Sequence, residues 1–118
     1  MGRVVDLPVP ALKFALVTGQ LELGEASRKV TVFETRGDPH VDRMLVLADE
    51  RSKAVIVADA YSDTMPFNAV FDWTAQWIQA NQPKSEVLLG AHHPATAVQT
   101  LFTRQAEFRA AGKKTAAR

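Results

Sequence analysis

Apolar residues in this chain fall into short blocks separated by turn-forming residues, and the spacing inside each block predicts its element. Residues 12–17 are mostly apolar, Thr18-Gly19-Gln20 makes a turn, and Leu21-Glu22-Leu23 alternates before Gly24, which predicts two short strands. Residues 29–35 alternate again, with Val30, Val32 and Glu34 on one face and Thr31, Phe33 and Thr35 on the other. That is a third strand. Residues 44–48 form a continuous apolar run, the pattern of a strand covered on both faces, and residues 54–58 are equally apolar and rich in β-branched side chains. The polar turn between these two runs is short, which favours an antiparallel pair.

The period then changes. Phe67, Val70, Phe71, Thr74, Trp77 and Ile78 recur at three- and four-residue spacing, which predicts a helix that Asn81 and Pro83 terminate. Both tryptophans lie on it, and an aromatic stripe of this kind is read as core packing against a sheet rather than as a ligand cage. Residues 86–89 are a brief strand running into Gly90-Ala91-His92-His93-Pro94. Pro94 is placed at the first turn of a second helix, whose apolar side continues through Val98, Leu101, Phe102 and Phe108 towards Ala111. Before all this, Pro8 and Pro10 make residues 1–10 an extended lead-in. Residues 112–118 are basic and small, with nothing to bury, and are expected to be a flexible tail. The domain organisation expected is therefore one domain over residues 1–111 followed by that tail.

Composition narrows the classes. At 118 residues, with 47% hydrophobic and 23% charged residues and a formal net charge of +1, the chain suits a single globular domain and shows no general attraction to nucleic acid or an anionic membrane. There is no cysteine, so disulfides, thiolate nucleophiles and Cys-rich zinc sites are excluded, and a reducing cytoplasmic setting is expected. No apolar run reaches the roughly 20 residues of a membrane span, and residues 1–10 lack the apolar stretch of a secretory signal.

The chemistry-bearing residues gather in residues 34–94, which hold all three histidines. His40, Asp59 and His92 each stand in a turn beside an apolar strand, and strands of one sheet bring their ends together. Neutral imidazole and carboxylate suit zinc or a similar divalent transition metal, and a carboxylate can bridge two ions. Their spacing matches no local motif such as H-E-x-x-H. The alternative reading is that Asp59 caps a turn and the histidines are surface or hydrogen-bonded loop residues.

In the order of its elements the stretch resembles the second half of a metallo-β-lactamase-fold domain. In that superfamily a histidine opens a strand after a glycine-containing loop, an aspartate ends the next strand, and a last histidine follows a short apolar strand. Here those features are Gly37 to Val46 with His40, Val55 to Ala60 with Asp59, and Val87 to Pro94 with His92. The resemblance implies that His40 is a ligand of a first metal, Asp59 a bridging ligand and His92 a ligand of a second metal. The family's usual Gly-His-Gly is replaced by Ala91-His92-His93, so His93 stands as a substitute for His92. The signature H-x-H-x-D-H is absent, and no histidine precedes His40.

The expectation is an α/β (α+β) fold, a mostly antiparallel or mixed sheet with two helices on one face, resembling half of the αββα metallo-β-lactamase sandwich. The function expected is a metal-dependent hydrolase half-domain with a partial dinuclear site, zinc being the natural ion, and incomplete by itself as a fragment or a degenerate descendant. The alternative is a non-catalytic interaction module that keeps the half-fold. A half-sandwich leaves an apolar sheet face open, so the partner expected is a second copy or a complementing chain, with neither nucleic acid nor membrane.

Overall fold

In the computed structural model, which describes residues 17–25, 27–39 and 41–116, the alternating and continuous apolar runs become neighbouring strands of one sheet. β1 (Gln20–Glu25), β2 (Arg28–Arg36), β3 (Arg43–Asp49) and β4 (Ala54–Ile56) form an antiparallel meander. The chain then crosses over through α1 (Ala69–Asn81), so that β5 (Val87–Leu89) pairs with β4 in parallel. A two-residue β6 (Thr96–Ala97) closes that edge antiparallel to β5 before α2 (Val98–Ala116). The six strands lie in sequence order across the sheet. The expected α+β sheet, mixed and mostly antiparallel, is the one observed.

Both helices lie on one face, because the register gives them a continuous apolar surface. Val46, Val55 and Leu88 share that face and are buried with Phe71, Ala75 and Ile78 of α1 and Val98 and Leu101 of α2. Phe33 on β2 meets the edge of Trp77 at 5.2 Å, so this aromatic stripe is core, as the sequence suggests. The opposite face is also apolar, carrying Leu23, Val30, Val32, Leu45, Leu47, Ile56 and Leu89, of which Val32 is buried, and no helix among the described residues covers it. Leu45 is 47% exposed and Leu23 49%. The expectation that β3 is covered on both faces is thus corrected: its continuous apolar run is buried only at alternate positions.

Local chemistry sets the element ends. Asn68 caps α1, its Oδ1 accepting from the backbone N–H groups of Val70 and Phe71, and Phe67 before the cap stacks edge-on against Phe71. Between β1 and β2, Gly24 has φ 97° and sits where a Cβ would strike the Arg28 carbonyl, so the hairpin requires glycine there. At the β3–β4 turn, Asp49 accepts from the Arg51 N–H and the Ser52 hydroxyl, while Lys53 takes a left-handed φ of 55°.

Two further expectations change. Pro94 does not begin the second helix, because the backbone just after it is used by the sheet: Thr96–Ala97 forms β6, and the Val98 N–H donates to the Glu86 carbonyl. The Pro94 carbonyl accepts from the Thr96 hydroxyl and lies 2.7 Å from His93 Nδ1, which holds the corner in a non-helical path. At its far end α2 runs through Gly112 to Ala116, so the segment read as a tail begins inside the helix. A single glycine costs a helix only about 1 kcal/mol relative to alanine, and the lysines and alanines around it are good helix formers. The expected strand within residues 12–17 and the lead-in before it lie outside the described residues, Val17 excepted. Among the described residues no helix is long and apolar enough to cross a membrane.

Candidate metal centre

Parallel pairing of β4 and β5 brings the carboxyl ends of both strands to one rim of the sheet, the place where α/β sheets present ligand-binding groups. Beyond β4, Val57 stays buried and donates its N–H to the Leu89 carbonyl, so the strand's path continues one residue past its ladder. Ala58 then takes φ 48°, turning the chain, and the Ala60 N–H closes the turn on the Val57 carbonyl. Asp59 is projected from this turn. On the β5 side the Ala91 N–H donates to the Ala58 carbonyl, tying the two loops together directly beside their polar side chains.

The consequence is a contact between two of the sequence-predicted residues. His92 Nε2 stands 2.8 Å from Asp59 Oδ1, with the two side chains 64% and 61% exposed. A polar contact this open to solvent contributes little to folding stability. The third predicted residue, His40, lies outside the described residues. Asp38, two positions before it, is buried.

His93, the predicted substitute for His92, is turned the other way. Its ring packs edge-on against Tyr61 at 5.2 Å, and its Nδ1 lies 2.7 Å from the Pro94 carbonyl and 3.3 Å from the Thr96 hydroxyl. A carbonyl can only accept, so Nδ1 is the donor in that contact. The ring's Nε2 is buried against Gly90, where a Cβ would collide with it. Glycine at position 90 is what lets this imidazole lie flat in the corner. His92 is therefore the histidine that reaches Asp59.

Sequence reasoning missed the residues that hold the rim. Tyr61 is fully buried, and the Arg104 guanidinium of α2 donates to Tyr61 Oη at 2.6 Å, to the Ser62 carbonyl at 3.1 Å and to the Met65 carbonyl at 2.6 Å. The signal available was slight: a lone arginine between Phe102 and Phe108 on an amphipathic helix.

As a metal centre, the donor types fit and their number does not close a site. One carboxylate and one imidazole suit a divalent transition metal, whereas a closed structural zinc site takes four protein ligands and a catalytic one three. Among the described residues no group of three or more His, Cys, Asp or Glu side chains is placed to hold an ion.

Comparison with solved structures bears on the fold. Thirteen chains match, among them a metallo-beta-lactamase from Pontibacter korlensis at TM-score 0.60 and 15% identity, over 76% of this chain and 46% of that one. This is part of a metallo-β-lactamase fold. The present chain spans less than half the length of that neighbour. No family model matches, and no curated protein matches.

Proposed function

We propose that the chain is the Asp59- and His92-bearing half of a metal-dependent hydrolase domain, supplying part of a divalent metal site and inactive as a lone half. The observation that carries this reading is the 2.8 Å approach of His92 to Asp59 at the rim where β4 and β5 end. His40 completes the half-set in this reading. An ion held there, zinc above all, would supply an acidified water at neutral pH. The chain's own contribution is to present a carboxylate and an imidazole from two loops tied by the Ala91-to-Ala58 hydrogen bond. The lack of cysteine fits a reducing, cytoplasmic setting.

The second reading is a module whose role is association, and the half-exposed Leu23 and Leu45 favour it. A second copy of this chain is the occupant we assign to the open sheet face. The part of the metallo-β-lactamase neighbour without a counterpart here is of similar size to the part that is matched, and two-fold pairing is the commonest way to cover such a face. Even then a pair of copies repeats the same donors and brings no H-x-H-x-D-H group. The test is a screen of β-lactam, thioester and phosphodiester substrates with zinc or manganese added, beside metal analysis of the tag-free chain. No turnover with retained metal supports the half-site. Hydrolysis abolished by Asp59→Ala and by a chelator would show a complete enzyme, and absence of both metal and turnover would favour the association module.

A further inference from the structure

We infer that Arg104 is the positioning residue for the Asp59–His92 pair, acting through both loops that carry it. This rests on reading the pair as a ligand-holding site, but the positioning itself can be tested without any metal. The guanidinium lies 5.4 Å from the centre of the Tyr61 ring and 5.6 Å from that of Phe67, while its fork of N–H groups reaches three oxygens of the segment that follows Asp59. Tyr61 is two residues from Asp59 in sequence. Its ring packs edge-on against Phe71 and against the His93 ring, next to His92. One side chain on α2 thus grips the Asp59 loop directly and the His92 loop through Tyr61.

The geometry requires arginine. Three acceptors in different directions, two of them backbone carbonyls, match the planar fork, and the flat cation stacks on the aromatic rings as a lysine ammonium does not. Removing the fork leaves the Tyr61 hydroxyl and the Ser62 and Met65 carbonyls without this donor. The loop keeps its anchor to α1 through the Thr74 hydroxyl, which donates to the Ala60 carbonyl, so the fold survives while the rim loosens.

The experiment compares amide hydrogen exchange in the full chain for wild type, Arg104→Met, Arg104→Lys and Arg109→Met. Arg109 is a control on the same helix whose partner is Asp72 on α1. The expected result is exchange at the Ala60 and Ala91 amides faster by roughly ten-fold in both Arg104 variants, with the β2 and β3 amides unchanged and Arg109→Met silent at the loops. Zinc affinity, by calorimetric titration, is expected to fall about 10- to 100-fold, the usual effect of losing a group that orients a ligand. Unchanged loop exchange, or a uniform rise at strands and loops alike, overturns the inference. Localised loop exchange in a chain that binds no zinc upholds the positioning role and removes the metal reading instead.

Discussion

Asp59 and His92 meet at 2.8 Å although each belongs to a different strand end and a helix separates those strands in sequence. The parallel β4–β5 pair makes this possible. A hairpin would have put the two strand ends on opposite rims, whereas the crossover through α1 returns the chain in the same direction. The contact is a product of topology.

The open sheet face makes a prediction about assembly. Leu45 and Leu23 are half-exposed on an apolar surface, so the chain is expected to run as a dimer in light scattering at micromolar concentration. Leu45→Lys should shift it toward monomer with little effect on the helix-side core, since Leu45 does not face Val55 and Leu88. A monodisperse wild-type monomer that binds no apolar dye would contradict this.

Backbone strain gives a second. Gly24→Ala should lower the unfolding free energy in urea by more than Gly19→Ala does. Both positions have positive φ, which costs a side chain of order 1 kcal/mol, but only at Gly24 would the added Cβ strike a backbone carbonyl. Equal losses would mean that the hairpin adjusts freely.

The α1–α2 contact predicts a pH dependence. Hydrogen bonds from Arg109 hold the Asp72 carboxyl below its ordinary value of 3.8, with Gln105 and Gln76 adding to the effect against a partial burial that opposes it. A depressed carboxylate stabilises the fold above its unfolded pKa and loses that contribution as pH falls through the folded one. Asp72→Asn should therefore melt below wild type at neutral pH, the gap narrowing as pH drops below 3.8. A gap that is constant down to about pH 3 would assign the loss to packing.

Much of the sheet could be read from the residues alone, because its signals are local. The alternation of β2, the apolar runs of β3 and β4, and the three- and four-residue spacing of α1 each depend on neighbours in sequence. What escaped depends on tertiary context. Pro94 is a permissible helix start by its own chemistry, and only pairing of Thr96–Ala97 with β5 denies it that role. The run in β3 looks fully covered, and only the one-sided placement of the helices exposes Leu45. At the site, residue types singled out Asp59, His92 and His93, but that His92 and not His93 lies against Asp59 depends on packing, with His93 Nδ1 at the Pro94 carbonyl and its ring filling the space a Cβ at Gly90 would need. Arg104 was invisible because its three acceptors are remote in sequence.

The claim that Asp59 and His92 are donors of a shared metal site is tested most directly by zinc-dependent thermal stability. A ligand that binds only the folded state stabilises it by mass action, by about 2.7 kcal/mol at a hundred-fold excess over the dissociation constant, and so raises its melting temperature. A shared site predicts a rise for wild type and for His93→Ala, measured from each protein's own baseline, with the rise largely lost in Asp59→Asn and in His92→Ala. An equal zinc shift in all four proteins would contradict it, placing the ion on the surface at large.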